Sequence, residues 1–557
     1  MTHEIRIGVF ICHCGTNIGG FIDIPSLVNY IRQLPDVIIC IDNLYTCSES
    51  GLLSIKQAIH DHHLNRVVVA SCTPRTHEVL FRNICKEAGL NPYLFEFVNI
   101  RDQCSWVHMH EPHAATMKAK DLIRMGLART RLLEPQDEIS INILPSALVI
   151  GGGVSGMTCA VNLAKQGFPV LLLEKKAELG GLLKQINTLA PTFDPASQFL
   201  ADKLKEVNQT INLDIRTNAT VTAIHGYFGN YHVAFNHNGR SDEYSTGVIV
   251  LATGAQELKP FGEYGYNQKT VITQLELEHL LKTQSCTANT VVMIQCVGAR
   301  NETREYCSRI CCINALKNTQ IILQQNPQAT VYILYRDMQS YGAMETLYRK
   351  TRELGAIFIP YTIQKPPQVT SECIIVFDEF LSQEIAIPYD LVVLSTPLIP
   401  HPESKQLAQT LKIPTDNHGF FLEAHAKLRP LDFATDGIYL CGSARWPSTV
   451  SESVSQALGA ASRAAIPLKK GQVVTEPLIS VVDITRCIGC GLCETVCPYN
   501  AIRVEETPQG NIAQTIPASC RGCGVCGAAC PQMAITMQHY RDDQICAAIN
   551  ALVEEIT

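Results

Sequence analysis

The sequence predicts an α/β protein with three domains, and three observations support that prediction. Strand-like apolar runs alternate with helical patterns over residues 1–143, which is the layout of an α/β layer. A glycine-rich turn between a predicted strand and a predicted helix opens residues 144–470, and a duplicated cysteine run lies within residues 471–557. We therefore expect an N-terminal α/β domain, a core of two α/β halves and a small C-terminal α+β domain.

Composition argues against two classes of function. The chain of 557 residues has a formal net charge of −7 and shows no basic stripe, so no nucleic-acid-binding surface is expected. Its longest apolar runs have strand length and are interrupted by glycines, so no membrane span is predicted. The start, MTHEIRIGVFICHCG, lacks a basic region followed by a long apolar core. We accordingly predict a cytoplasmic protein.

The total of 24 cysteines is unusual for such a chain. In a reducing cytosol, cysteines serve as metal ligands or redox groups more often than as structural disulfides. A single cysteine is usually a small buried apolar residue. Only the clustered cysteines therefore indicate a function.

The C-terminal segment contains the strongest pattern. CIGCGLCETVCP at residues 487–498 and CRGCGVCGAACP at residues 520–531 both have the C-x2-C-x2-C-x3-C-P spacing of bacterial two-cluster ferredoxins. In that pattern each [4Fe-4S] cluster takes three cysteines from one run and the fourth from the other. The two predicted ligand sets are Cys487, Cys490, Cys493 with Cys530, and Cys520, Cys523, Cys526 with Cys497. Structural zinc is the alternative, although zinc sites need no Cys-Pro ending.

A dinucleotide-binding pattern opens the middle segment. Residues 146–176 read SALVIGGGVSGMTCAVNLAKQGFPVLLLEKK, which predicts a strand, a glycine turn, a helix and a second strand. Gly151, Gly153 and Gly156 occupy the G-x-G-x-x-G positions, where glycine lets the backbone approach a pyrophosphate at a helix N-terminus. Glu174 closes the second strand, where a carboxylate can accept a hydrogen bond from a ribose hydroxyl.

Two further motifs indicate that the dinucleotide is FAD. GVIVLATGA, residues 247–255, ends a strand in an Ala-Thr-Gly turn at Gly254 that resembles flavoprotein reductases. TDGIYLCGSARWP, residues 435–447, resembles their second flavin motif, with Gly442 and with Ser443 where an Asp is usual. Three separated places therefore support FAD.

Two cations lie close to these flavin motifs in the sequence. Lys184 and Arg445 could stabilise the charge of a reduced flavin, and Lys184 is included among the predicted cofactor-binding residues. The alternative is that both are solvated surface charges, which is common for long basic side chains.

Reductases with two dinucleotide-binding domains carry a second glycine fingerprint for NAD(P)H, which is incomplete in this chain. NTVVMIQCVGAR, residues 289–300, keeps the strand but offers only Gly298 in the turn. EYCSRICCINALK, residues 305–317, then contains three closely spaced cysteines. On a helix beginning near Arg304, these three would share one side.

The incomplete fingerprint and the crowded cysteines predict a third [4Fe-4S] site where a nicotinamide cofactor would otherwise bind. Its predicted ligands are Cys296, Cys307, Cys311 and Cys312. A redox dithiol is one alternative, but it would need a C-x-x-C spacing. Plain buried cysteines are the other.

A fourth cysteine set is predicted in the N-terminal domain. The predicted strands IRIGVFIC, DVIICI, NRVVVASC and LFEFVNI are each followed by a cysteine. The carboxyl ends of parallel strands meet at one edge of an open sheet, where such folds bind ligands. The predicted cluster ligands are Cys14, Cys47, Cys72 and Cys104, with Cys12 as the alternative to Cys14. A degenerate flavodoxin-like domain with incidental loop cysteines is the competing interpretation.

The chain resembles the A subunit of heterodisulfide reductase nearly from end to end. The resemblance rests on VFICHCGTNIGG, VVVASCTPRTHE, RDQCSWVHM, LVIGGGVSGM, CVGAR, CSRICC, LYRDMQSYG and the ferredoxin repeat. It implies a thioredoxin-reductase-like core with FAD and a non-standard [4Fe-4S] cluster at the four-cysteine set described above. Methanogen members carry an extra ferredoxin module inserted in the flavin half, and this chain shows no such cysteine runs between GGLLKQ and CVGAR.

The resemblance also implies a function in electron transfer, in the family often by flavin-based electron bifurcation. Expected partners are B- and C-like subunits, ferredoxin and an electron-donating module of hydrogenase, formate or NADH type, around a homodimer of this chain. No catalytic residue for the terminal reduction is identified. Two alternatives are a stand-alone NAD(P)H-dependent iron–sulfur flavoprotein and a non-catalytic electron carrier with a vestigial flavin domain.

Overall fold

The structure, a computed structural model, describes residues 4–284 and 286–553 and divides into two compact units. One unit combines the N-terminal segment, up to residue 140, with the C-terminal segment from residue 474. The other unit consists of residues 141–473. The division into three domains remains a prediction. Over the described ranges, no helix has the length and apolar character needed to cross a bilayer.

The N-terminal segment is an open α/β layer, as predicted. Its strands are parallel and lie in the order Val37–Asn43, Ile7–Cys12, Arg66–Ser71 and Phe95–Asn99. Its helices are Thr16–Gly19, Ile24–Ile31, Glu49–Asp61, Pro74–Glu87 and Pro112–Arg131, with a π-helical turn at Arg101–Ser105. The strand Ile7–Cys12 is buried along its whole length, as expected for an inner strand of a parallel sheet.

The C-terminal segment is small and mixes strands with short helices. Its antiparallel strand pairs are Ser480–Val482 with Ile535–Met537 and Ile502–Thr507 with Gly510–Thr515. Its helices are Leu492–Val496, Val525–Ala529 and Asp542–Val553. The first two helices each follow a glycine with a φ of +78°, Gly491 and Gly524. Only glycine adopts this angle readily, so the two cysteine runs fold alike.

Polar and aromatic contacts join the N-terminal and C-terminal segments within their unit. The guanidinium of Arg124 donates to the carbonyl oxygen of Ala551 at 2.6 Å. Arg129 donates to the carbonyl oxygen of His539 at 2.5 Å. The rings of Tyr93 and His539 pack edge to face with centroids 5.8 Å apart. The segments are therefore held together by groups that are distant in sequence.

Burial of His539 predicts a pH-dependent stability of this unit. Burial, and then the charges of Arg129 and Arg82, lower the pKa of the imidazole from 6.5 to about 4. Below pH 6.5 the unfolded chain binds a proton that the folded chain does not. The free energy of unfolding therefore decreases as the pH is lowered. Between pH 6.5 and 5 we expect a loss of about 1.5 kcal/mol. Urea unfolding of the wild type and of His539→Gln at several pH values checks this. The same dependence of unfolding free energy on pH in both proteins would contradict it.

The middle unit repeats one plan twice, a five-stranded parallel sheet with a three-stranded antiparallel sheet. The first half has the parallel strands Ile438–Leu440, Val248–Leu251, Ala147–Ile150, Val170–Leu173 and Leu213–Arg216, and the antiparallel strands Arg240–Thr246, Asn230–His237 and Ala219–Tyr227. In the second half the parallel strands are Val271–Thr273, Leu391–Leu394, Thr290–Ile294, Thr330–Tyr335 and Ile357–Pro360. The antiparallel strands of that half are Gln368–Val369, Cys373–Asp378 and Gln383–Pro388. This duplication confirms the predicted core of two dinucleotide-binding domains.

The helices of the middle unit follow the strands of both halves. They are Val154–Lys165, Ala196–Gln209, Gln274–Thr283, Ile310–Gln325, Met344–Glu353, Ser404–Leu411 and Val450–Lys470, with 3₁₀ turns at Gly181–Gln185 and Gly442–Ala444. Ala255–Glu257 and Leu398–Pro400 form a separate antiparallel pair. Two short strands, Ile139–Asn142 and Gln472–Thr475, lie where the chain passes from one unit to the other.

The predicted helix start near Arg304 is wrong. The helix begins at Ile310, so Cys311 and Cys312 lie on it while Cys307 lies in the preceding loop. The hydroxyl of Tyr306 donates to the carbonyl oxygen of Leu398 at 2.7 Å, and the hydroxyl of Ser308 accepts from the Leu398 N–H at 2.9 Å. These tertiary contacts hold residues 306–308 outside the helix and override the local pattern.

Candidate metal and cofactor sites

The turn between the strand Ala147–Ile150 and the helix Val154–Lys165 has the geometry of a dinucleotide cradle. Gly151 has a φ of +110°, which a residue with a Cβ rarely adopts. A Cβ at Gly156 would lie 1.7 Å from the carbonyl oxygen of Gly151. A Cβ at Gly153 would meet nothing within 4 Å, which leaves room for a phosphate at the helix N-terminus.

A cavity of about 130 Å³ adjoins this turn. Glu174 lines the cavity, and its carboxylate accepts from the backbone N–H groups of Gly152 at 2.6 Å and Lys176 at 2.8 Å. The hydroxyl of Thr253, also in the lining, is buried and finds no hydrogen-bond partner among the described residues. A carboxylate with further lone pairs and an unpaired hydroxyl suit a ribose. The residues present therefore fit FAD.

The other predicted flavin positions are turns that need glycine. Gly254 has a φ of +71°, and the space where its Cβ would project is open. Gly442 has a φ of +68°, and a Cβ there would come within 2.2 Å of the Ser155 hydroxyl oxygen. Ser443 follows in the same 3₁₀ turn and is half-buried.

Both cations near the flavin motifs have acidic partners. The side chain of Lys184 is 41% exposed and pairs with Glu178. Arg445 is more buried and pairs with Glu423 at 2.7 Å. The exposed pairing of Lys184 supports its interpretation as a surface charge.

Alanine at the two glycine positions should separate packing from cofactor binding. Gly156→Ala forces a methyl group against the Gly151 carbonyl, so we expect it to destabilise the fold and abolish FAD binding. Gly153→Ala meets no protein atom, so stability should hold while FAD affinity falls roughly tenfold or more, because the methyl group takes phosphate space. Thermal unfolding measures the stability of both variants, and FAD titration measures their affinity. If Gly153→Ala destabilised the fold as much as Gly156→Ala, the two glycines would not have the separate roles proposed.

The two cysteine runs of the C-terminal segment surround two separate cavities. One cavity is lined by Cys487, Cys490, Cys493 and Cys530. The other is lined by Cys520, Cys523, Cys526 and Cys497. Each run thus contributes its fourth cysteine to the other cavity, the grouping expected for two [4Fe-4S] clusters.

Backbone N–H groups point at these sulfurs. Cys487 Sγ accepts from Ala513 at 3.4 Å, Cys497 Sγ from Ala501 at 3.2 Å and Cys530 Sγ from Ala534 at 3.4 Å. Such donors stabilise sulfur that is charged or bound to metal. Across residues 4–284 and 286–553, no three His, Cys, Asp or Glu side chains are placed to hold one metal ion. The donor set and its N–H groups fit iron–sulfur clusters.

The middle set lies at the turn of the second dinucleotide-binding half. Cys296 follows the central strand Thr290–Ile294 with a φ of +61°. Burial raises the pKa of the Cys311 thiol well above its usual value, and the neighbouring sulfurs of Cys312, Cys296 and Cys307 raise it further. All four predicted ligands are therefore neighbours, and each thiol must lose its proton to bind iron.

A cation lies beside this middle set. Arg300 Nη1 lies 4.0 Å from Cys296 Sγ, and the same guanidinium pairs with Asp337 at 2.5 Å. Burial raises the pKa of Cys296, and the charges of Arg300 and Arg336 partly offset that rise. A cation near a cysteine favours the thiolate, which is the form that binds metal. The middle set thus fits a cluster as well.

Four cysteines of the N-terminal segment, among them the alternative ligand Cys12, lie close together. Cys12 Sγ accepts from the N–H groups of Cys14 and Thr46 at 3.3 and 3.4 Å. Burial raises the pKa of Cys47, and its neighbours Cys12, Cys72 and Cys14 raise it further. Cys12, Cys14, Cys47 and Cys72 therefore lie together. Both Cys14 and its alternative Cys12 lie near Cys47, and the ligand set stays a prediction.

Cys104, the remaining predicted ligand, is a core residue. It lies in the π-helical turn, is fully buried, and packs into the core with Ile100 and Ala119. Burial raises its pKa to about 11, and the charges that modify it come from Lys118 and Asp121 rather than from another cysteine.

Single substitutions distinguish these two cysteines. We expect Cys12→Ala to remove about four iron atoms per chain, because one [4Fe-4S] cluster would lose a ligand. Cys104→Ala should leave the iron content unchanged and lower the stability of the N-terminal core by about 1 kcal/mol. Iron analysis of anaerobically isolated protein measures the iron content and urea unfolding measures the stability. The reverse pattern of iron loss would assign Cys104 rather than Cys12 as the ligand.

Comparison with known proteins gives matches to both site regions and to the whole chain. Residues 486–534 match the family described as 4Fe-4S dicluster domain, and residues 149–206 match the NAD(P)-binding Rossmann-like domain. Lactococcus lactis thioredoxin reductase matches 58% of this chain and 99% of its own, at 17% identity and a TM-score of 0.43.

Three curated relatives cover nearly the full length. The chain is 38% identical to the A subunit of the H(2):CoB-CoM heterodisulfide,ferredoxin reductase of Methanothermobacter thermautotrophicus, over 99% of this chain and 98% of that protein. It is 35% identical to the iron-sulfur A subunit of the CoB--CoM heterodisulfide reductase of Methanocaldococcus jannaschii, over 99% of this chain and 98% of that protein. It is 33% identical to the A subunit of the H(2)/formate:CoB-CoM heterodisulfide,ferredoxin reductase of Methanococcus maripaludis, over 98% of each.

The fold and the cysteine and glycine sites define an oxidoreductase of the iron–sulfur flavoprotein class. The alignment with the M. thermautotrophicus protein extends over 654 positions, whereas this chain has 557 residues, so that relative contains residues that this chain lacks. The chain belongs to the family of heterodisulfide reductase A subunits.

Proposed function

We propose that this chain is the electron-transferring FAD and iron–sulfur subunit of a heterodisulfide-reductase-like complex. It relays or splits electrons between a donor module, ferredoxin-type clusters and a partner that reduces a disulfide or a quinone, and flavin-based bifurcation is one form of this role. When bound, FAD supplies the exchange between electron pairs and single electrons, and [4Fe-4S] clusters carry single electrons. The observation that carries the proposal is the set of four neighbouring cysteines at the turn where a nicotinamide cofactor would bind.

In this proposal the chain's own residues hold the redox groups. The turn from Gly151 to Gly156 and the carboxylate of Glu174 hold the dinucleotide. The two cavities of the C-terminal segment, the middle set and the N-terminal set hold four clusters. Cys490 and Cys523 are exposed, so a partner could approach these ligands closely.

The names of the relatives support part of the proposed partner set. The M. maripaludis protein is named for hydrogen, formate, the heterodisulfide and ferredoxin. We propose B- and C-like subunits, ferredoxin and a donor module of hydrogenase, formate or NADH type, around a cytoplasmic homodimer of this chain. Because this chain shows no cysteine runs between GGLLKQ and CVGAR, we propose no cluster beyond these four.

Anaerobic purification from the native host, with partners retained, tests the proposal. We expect FAD, about sixteen iron atoms per chain for four cubane clusters, and a co-purifying subunit with a disulfide or quinone site. Rapid flavin bleaching by NADH in the isolated chain would support the stand-alone reductase instead. Iron without flavin would support the non-catalytic carrier.

A further inference from the structure

The loop that contains Cys307 is fixed on both sides of that residue. Tyr306 and Ser308 both bond to the backbone of Leu398, as described above. Both side chains are buried. Cys307 therefore has little freedom to move independently of the middle unit.

Arg309, which follows, reaches across to the segment that carries the second flavin motif. Its guanidinium donates to the carbonyl oxygen of Pro447 at 2.9 Å and to the carboxylate of Glu452 at 3.1 Å. It also donates to the hydroxyl of Tyr341 at 2.6 Å. Glu452 is the capping-box carboxylate of the helix Val450–Lys470. One side chain thus joins the cysteine loop to the start of a helix beside the flavin motif.

Arg309 holds this position in a strained backbone conformation. Its φ is +62°, and its N–H donates to Cys307 Sγ at 3.3 Å. Cys296 and Arg300, elsewhere in the same site, also have positive φ values. Residues with a Cβ keep such angles only where surrounding contacts fix them, and these residues cluster at functional sites.

Aromatic packing provides a second contact between the same two segments. The ring centroids of Tyr306 and Trp446 lie 5.2 Å apart, and those of Phe420 and Trp446 lie 5.5 Å apart. Trp446 comes three residues after Ser443 of the flavin motif. Both Tyr306 and Arg309, on the two sides of Cys307, therefore contact residues 446–452.

We propose that Arg309 is a positioning residue that fixes the Cys307 loop against residues 442–452 and so sets the geometry between the cluster site and the flavin site. The inference rests on the proposed function, because it assumes FAD and a cluster at these places. Three acceptors on different segments match the planar fork of one guanidinium, whereas the single ammonium of lysine could not reach all three in the same geometry.

The test compares Arg309→Lys and Arg309→Ala with the wild type in the full-length holoenzyme, with Arg304→Ala in the same loop as the matched control. Hydrogen–deuterium exchange is followed in peptides covering residues 305–312 and 446–453. We expect exchange about tenfold faster in both peptides for both Arg309 variants, because the link opens more often. Visible circular dichroism of the bound flavin should change in both, at unchanged FAD and iron content. Arg304→Ala should match the wild type.

Three outcomes would overturn the proposal. Faster exchange confined to residues 305–312, with unchanged flavin dichroism, would mean that Arg309 orders only its own loop. Wild-type behaviour of Arg309→Lys would mean that charge rather than position matters. Wild-type exchange in Arg309→Ala would mean that the aromatic contact suffices. If the chain bound no FAD, the proposed function would fail, while exchange in the two peptides would still show whether the segments are linked.

Discussion

Replacing Lys317 by Met is expected to lower the free energy of unfolding of the middle unit by about 3–5 kcal/mol. The Lys317 ammonium and the Glu278 carboxylate lie 2.5 Å apart, and their side chains are 1% and 2% exposed. Lys317 also donates to the carbonyl oxygen of Thr188 at 2.7 Å. The substitution leaves the Glu278 charge buried, with the Asn187 N–H at 2.9 Å as a remaining donor. Loss of one partner is costly because the other charge stays desolvated.

Two controls separate this effect from a general loss of a lysine. Lys317→Met combined with Glu278→Gln removes both charges, and should recover roughly half or more of the lost stability. Lys165→Met breaks the exposed pair with Glu206, and should cost less than about 1 kcal/mol. Anaerobic urea unfolding, followed through flavin fluorescence, measures all three. Equal losses of unfolding free energy for Lys317→Met and Lys165→Met would show that burial of the ion pair does not determine the cost of breaking it.

Elements with strong local signals could be predicted from the sequence. NRVVVASC contains the buried parallel strand Arg66–Ser71 because inner strands of such sheets are continuous runs of β-branched residues. The turn at Gly151 could be predicted because its angle and its close contacts require glycine. The crossed cysteine cavities also follow from spacing, since the two repeats fold alike.

Features that depend on residues distant in sequence could not be predicted. The helix begins at Ile310 rather than near Arg304 because Leu398 binds the residues on both sides of Cys307. Nothing near Cys104 in the sequence indicates that it packs against the helix Pro112–Arg131. Likewise, the bond from Arg129 to His539 spans most of the chain. Local periodicity contains no information about such contacts.

Replacing Cys311 and Cys312 together by Ala is expected to lower the iron content by about four atoms per chain, from about sixteen to about twelve. Both residues lie in the first turn of the helix Ile310–Gln325, beside Cys296 and Cys307. FAD should stay bound, because Gly151 and Glu174 directly follow strands of the first parallel sheet, whereas Cys311 and Cys312 lie in the second half. Iron analysis and flavin absorbance of the anaerobically isolated variant measure both quantities.

The matched control is Cys85→Ala, since Cys85 is fully buried and belongs to no predicted set. Burial raises the pKa of both Cys85 and Cys312 to about 12, so raised pKa values alone do not distinguish a ligand from a core thiol. Cys311 and Cys312 have sulfur neighbours, whereas the shift of Cys85 arises from burial. Iron should therefore fall only in the double variant. Equal iron content in both variants would mean that Cys311 and Cys312 are core thiols and that the middle cluster does not exist.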